Sequence, residues 1–179
     1  MTMKTALINL IAFKAGWAAV ILTAAASRPE LGLLAVAAVV ALHLARTPDV
    51  RPEVFVLAAA AGIGLVWESL LVSGGFLVYE TGTLASGMAP YWIVAMWVLF
   101  ATTLNVGMRW LRKSVFIAAA AGAIGGPLAF MAGEAAGAVS FTEPTTTIAA
   151  IGVGWMILLP ALVQLATRFD GHDRVYATS

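Results

Sequence analysis

The chain has 179 residues, 61% of them hydrophobic and only 11% charged, with a mean hydropathy of +0.95. A soluble domain carries about 25% charged and 45–50% apolar residues, so a soluble globular fold is excluded. The net charge of +1, with ten Lys and Arg in scattered positions, supplies no basic face for nucleic acid, and the absence of Cys excludes disulfides and thiolate metal centres.

Long apolar runs predict six transmembrane helices over 5–26, 31–45, 53–73, 89–108, 114–139 and 146–167. They are helices because an open strand would leave backbone groups unpaired in lipid. The expectation is an all-α membrane bundle, a single domain over 1–168 with a short polar cytoplasmic tail over 169–179. In the first run, Lys4 and Ala24-Ala25-Ala26-Ser27 imitate a secretory signal, but the run is long and interrupted by Lys14, which predicts a retained span. The second run has an apolar core of only about 14 residues, so it either crosses by local thinning and burial or forms a re-entrant hairpin. Arg28-Pro29-Glu30, Thr47-Pro48-Asp49 with Arg51-Pro52-Glu53, and Glu143-Pro144 combine charge with a helix-breaking proline and divide the runs. The connection from Gly74 to Met88 reads as a partly buried amphipathic loop. Tyr79, Tyr91 and Trp92 mark one interface and Trp110 the other.

With both termini cytoplasmic, Lys4, Arg46, Arg51, Arg109, Arg112, Lys113, Arg168 and Arg174 fall inside and only Arg28 outside, as the positive-inside rule requires. Deleting the second helix would put Arg109, Arg112 and Lys113 on the wrong side of Lys4. This charge distribution fits a multi-pass membrane protein with both termini on the cytoplasmic side.

The fifth helix carries Ala121, Gly125, Ala129, Gly133 and Gly137 at steps of four, a small-residue ridge that lets backbones approach closely. It predicts a central helix, kinked by Pro127, with Gly125, Ala129, Gly133 and Gly137 as the seam for a second copy or a membrane partner. The alternative is a helix broken at Gly125-Gly126-Pro127 around a ligand.

Lys14, Glu68 and Glu134 lie within spans, and a charge at mid-bilayer costs on the order of 2.5–3.5 kcal/mol, so each needs a partner or water. Depth along the helices suggests an outer carboxylate pair, Glu68 and Glu134, an inner polar cluster of His43 and Asn105 joined by Asn9, and an inward-facing, paired Lys14 between them. Glu68, Lys14, Asn105, His43 and Glu134 are therefore the candidate ligand- or proton-binding residues. His43 reads as a hydrogen-bonded histidine, since no other His lies in a span and His172 belongs to the tail; no metal and no cofactor is expected. No Gly-x-Ser-x-Gly, Cys nucleophile or His cluster is present, so no catalytic residue is assigned.

Pro90-Tyr91-Trp92-Ile93, Trp97 with Phe100-Ala101-Thr102-Thr103-Leu104-Asn105, Arg109-Trp110-Leu111, and Gly122-Ala123-Ile124-Gly125-Gly126-Pro127-Leu128 with Ala132-Gly133 resemble the signature of a bacterial family of small polytopic membrane proteins known as a domain of unknown function. Asn9, Gly16-Trp17, Leu42-His43-Leu44, Gly154-Trp155 and Leu159-Pro160 extend the resemblance over most of the chain. It implies an integral membrane protein in the gene company of membrane-lipid modification. In that family the Glu68 position often carries Asp, whereas Lys14 and Glu134 are less typical.

Three functions follow as expectations. The first is an accessory, scaffold or lipid-binding protein of membrane-lipid or envelope metabolism, with membrane lipids as partners. The second is a small transporter or channel using Glu68, its six spans dividing three plus three. The third is a lipid-modifying enzyme in which Glu68 converges with Lys14 or Asn105 on one cavity.

Overall fold

A computed structural model describes residues 2–172. Among these, six α-helices form a bundle: α1 (Met3–Ala25), α2 (Pro29–Ala45), α3 (Val50–Ser73), α4 (Tyr91–Ala101), α5 (Val115–Ala135) and α6 (Pro144–Arg168). A two-residue strand β1 (Leu77–Val78) pairs antiparallel with β2 (Ser140–Phe141), Leu77 opposite Phe141. Helices α1, α3, α5 and α6 are long and apolar enough to cross a membrane, which makes this a multi-pass membrane bundle; α2 and α4 are shorter. The end carrying the α1 N-terminus is called here the terminal end, and the opposite one the hairpin end.

Local chemistry sets the boundaries. Thr2 caps α1 by accepting from the Thr5 N–H, and Asp49 caps α3 by accepting from the Arg51 N–H. Pro52 sits in the first turn of α3, where its missing N–H costs nothing. Between α1 and α2 the chain reverses through Ser27 in the left-handed region (φ 58°), with Arg28 N–H returning to Thr23 O. α2 is one continuous helix of 17 residues, so the hairpin alternative does not hold. α5 is likewise unbroken through Pro127, which removes the broken-helix alternative.

The fourth element departs most from expectation. The apolar pattern predicts a helix over 89–108, yet α4 ends at Ala101. Thr102 and Thr103 turn their hydroxyls back onto Leu99 O and Phe100 O, at 2.7 and 2.6 Å, and the chain continues as turns into a 3-10 helix over Arg109–Lys113. Residues 101–107 are all buried, so this irregular backbone needs partners. Asn9 of α1 supplies two: its Nδ2 donates to Thr102 O (3.0 Å), and its Oδ1 accepts from Gly107 N–H (3.1 Å). A Cβ at Gly107 would stand 2.6 Å from Leu10, so glycine permits the approach.

α4 is also the centre of the bundle, packing on α1, α2 and α3, whereas α5 packs mainly on α6. The expectation of a central α5 is thus corrected, and the reason is volume. Trp92, Met96, Trp97 and Leu99 of α4 fill the core. Small residues on neighbouring helices receive large ones: Gly64 takes Trp97, Gly16 takes Leu99, and Gly154 takes Trp67. On α5 the close contact is made by Gly122 and Gly126 against Trp155, while Gly125 faces open space and Gly137 lies beyond the helix at φ +81°. The ridge Gly125, Ala129, Gly133 and Gly137 is therefore not the seam between α5 and α6.

A Cβ at Gly122 would fall 2.1 Å from the Trp155 carbonyl oxygen, a backbone atom unable to yield. Gly122→Ala should lower stability in detergent by about 1–3 kcal/mol. Gly125→Ala, into open space, should change it by less than about 0.5 kcal/mol. Thermal unfolding of the two variants side by side measures the difference.

Candidate functional site

At the terminal end, Glu53 of α3 is wholly buried. Its Oε2 lies 2.9 Å from His43 Nε2 of α2, and its Oε1 accepts from Asn105 Nδ2 (2.5 Å) and Gly171 N–H (3.1 Å). Asn105 also donates to Phe169 O (3.2 Å) and accepts from Arg112 Nη2. Arg109 and Arg112 both reach Asp170 Oδ2, at 2.9 and 2.7 Å. His172 N–H donates to Asp170 Oδ1, and the His172 ring stands 5.8 Å from the His43 ring between centroids. Burial is the main cause holding the His172 imidazole below its ordinary pKa, with the nearby His43 and Arg109 in the same direction and Glu53 and Asp170 opposing.

Residues 169–172 of the expected tail are docked against this cluster, and 173–179 lie outside the described residues. Phe169 packs on Phe55 with ring centroids 4.3 Å apart, and Gly171 is tied by both backbone groups, its O accepting from Asp49 N–H at 3.0 Å. Buried polar atoms of the turn after α4 and of Glu53 take these backbone groups as hydrogen-bond partners. Arg174 lies outside the described residues. A cavity of about 650 Å³ adjoins this cluster, lined by Asn9, His43, Arg46, Arg109 and His172 among others.

The second polar centre lies toward the hairpin end. Glu68 of α3 is wholly buried, its Oε1 accepting from Trp97 Nε1 (2.9 Å) and its Oε2 from Tyr79 OH (3.1 Å). Burial, reinforced by the Glu68 carboxyl, pushes the Tyr79 hydroxyl well above its ordinary pKa, so it stays a donor. The strand pair holds Tyr79 in place. Thr142 N–H and Thr147 Oγ1 both donate to Phe76 O, and Trp92 Nε1 donates to Thr81 O. The loop from Gly74 to Met88 thus folds over the bundle end, partly buried as expected, with Leu77 in the core.

Glu68 lines a cleft of about 420 Å³ between α1, α4 and α5. Phe13 and Trp17 form one wall, Trp97, Phe100 and Trp155 the floor, and Gly125, Ala129 and Gly133 the other wall. Trp97 and Trp155 are stacked at 4.8 Å, with Phe100 edge-on to Trp155. The cleft opens sideways where Lys14 and Ala129 are exposed. Its wall on α5 runs from Ala121 to Gly133, roughly 18 Å at 1.5 Å per residue, close to the depth of one leaflet of a ~30 Å hydrocarbon core.

Of the sequence candidates, His43 and Asn105 meet on the same carboxylate, Glu53, which in the sequence only opens the 53–73 run beside Arg51-Pro52. Glu68 and Lys14 share the cleft but are not paired: the Lys14 ammonium stands 5.7 Å from the ring centroids of Phe13 and Trp17, a cation–π arrangement. Glu134 does not pair with Glu68; it accepts from Phe141 N–H (3.1 Å) and fastens the strand pair. Asn105 lies in the terminal cluster, so Glu68 and Asn105 do not converge on one cavity. Glu53, Asp170 and His172 were missed. Glu53 had a signal, because it occupies the same buried stripe of α3 as Leu57, Ala60, Gly64 and Glu68.

Residues 6–161 match the family described as Protein of unknown function (DUF2878). The chain belongs to that family. The match includes His43, Glu53, Glu68 and the whole cleft wall, and ends before Asp170 and His172. No curated protein and no solved structure matches the chain.

The two carboxyl groups should respond differently to substitution. Glu53→Ala removes the acceptor shared by His43, Asn105 and Gly171 and should cost about 3–5 kcal/mol, as breaking a buried pair does. Glu68→Gln keeps an acceptor oxygen for one of its two neutral donors and should cost about 1–3 kcal/mol. Denaturation of both variants in detergent checks the order.

Proposed function

We propose that the protein is a lipid-binding accessory protein of the bacterial inner membrane that holds an apolar chain in the cleft between α1 and α5. The observation that carries this reading is the cleft itself. It has an aromatic floor and a wall of small residues, and it opens beside the exposed Lys14 and Ala129 on α1 and α5, two helices apolar and long enough to cross a membrane. Stacked rings give an alkyl chain a rigid apolar bed, and Gly125 and Ala129 leave room for it.

Glu68 gives the cleft a polar point. Each of its oxygens accepts one hydrogen bond from the protein and retains a lone pair. The Trp155 indole N–H, buried beside the floor, has no acceptor among the described residues. A lipid with a polar group along or beside its chain suits such a site better than a plain alkyl chain. The basic residues gathered at the terminal end support a cytoplasmic location for that end, with six crossings in which the helices α2 and α4 are short.

A fatty acid bearing a photoreactive diazirine, presented in nanodiscs, tests the reading by mass-spectrometric mapping of crosslinks. Crosslinks should concentrate on Trp17, Met96 and Ala129 and fall at least fivefold in Gly125→Leu, which fills the cleft from a position with nothing within 4 Å of its Cβ. Labelling spread evenly over the lipid-facing sides of α1 to α6, or unchanged in Gly125→Leu, overturns the proposal.

A further inference from the structure

The terminal cluster carries a second site, independent of the cleft. His43, Glu53 and His172 each offer one ligand atom, and the three atoms lie within 4.8 Å of one another. Two imidazoles and one carboxylate are a common donor set for a divalent transition metal, and three protein ligands with a fourth position open is the arrangement of catalytic zinc sites.

The surroundings are those of a ligand set rather than of a chance cluster. Glu53 Oε1 is occupied by Asn105 Nδ2 and Gly171 N–H, which turns Oε2 toward His43. Outer hydrogen bonds of this kind orient ligating carboxylates. Thr47, whose Oγ1 donates to the His43 carbonyl at 2.9 Å, also stands 3.4 Å from His172 Nε2 and so lies beside both imidazoles. His172 is positioned by its N–H to Asp170, which two arginines hold. The segment after α6 therefore delivers the third donor to the two supplied by α2 and α3. His43 and His172 also line the cavity of about 650 Å³, so the side away from Glu53 has room for a fourth ligand.

We propose that His43, Glu53 and His172 bind one divalent transition-metal ion of the zinc type, with an open coordination position facing that cavity. The test uses full-length protein in detergent, free of any polyhistidine tag and stripped with chelator, then titrated with Zn²⁺, with Co²⁺ as the spectroscopic probe. The expected result is one saturable equivalent, a visible Co²⁺ d–d band and a rise in melting temperature on metal addition. His172→Ala alters a residue beyond the last helix and should keep the fold while weakening Zn²⁺ binding at least tenfold. His43→Ala should weaken binding as much but also lower stability, since it leaves Glu53 without a buried partner, so circular dichroism checks its folding and His172→Ala carries the test. No saturable equivalent in the unaltered chain, or a change of less than tenfold in a folded His172→Ala, overturns the proposal and leaves Glu53 and His43 as a hydrogen-bonded pair.

Discussion

A carboxylate with no exposed surface, set near the end of a membrane helix, governs the terminal half of this molecule. Glu53 sits where its charge has no water to solvate it, so every lone pair must find a donor inside the protein. The donors come from three places far apart in the chain: His43 from α2, Asn105 from the turn after α4, and Gly171 from beyond α6. Each donor must be brought there by the path of its own segment. The early end of α4 and the inward return of the chain after α6 are two such paths. Charge balance follows the same logic, because Arg112 touches Asn105 and, with Arg109, reaches Asp170, so two carboxylates meet two guanidinium groups in one connected set.

Glu68 is handled in the opposite way. Its two hydrogen-bond partners are neutral, a phenol and an indole, and Lys14 across the cleft stays with aromatic rings instead. What fixes this centre is packing: Trp97 lies against Gly64 on one side and stacks on Trp155 on the other, while Tyr79 is held by the strand pair above. The same preference for large rings set against glycine draws α5 to α6. With α5 committed there and α1 committed to α2, the space between α1 and α5 is left to the cleft.

The helices and most of their breaks were legible because apolar length and Pro-containing charged junctions are local signals. Six runs correspond to six helices, and Arg28-Pro29-Glu30 and Glu143-Pro144 stand at real boundaries. The end of α4 was not legible in this way. Thr102-Thr103, Asn105 and Gly107 were a local sign of a break, but where the chain goes after it depends on Asn105 partners 52 and 64 residues away in sequence. The small-residue pattern of α5 was visible, but which of its faces meets α6 depends on where Trp155 falls. Two-residue strands carry no period to detect. His172 was set aside for its place near the chain end, and its nearness to His43 depends on Gly171 docking on Glu53, a contact between residues 118 apart.

One segment joins the two centres. Within 102–113, Met108, Trp110 and Leu111 line the cleft, while Asn105, Arg109 and Arg112 belong to the terminal cluster. α3 makes a second link, since Glu53 and Glu68 lie on one buried stripe, roughly 22 Å apart at 1.5 Å per residue. The irregular backbone of 102–113 is thus held from both sides: Asn9, Glu53 and Asp170 fasten it at the terminal end, and Leu111 is buried in the core beside the cleft, so the position of this segment is set by the two centres together.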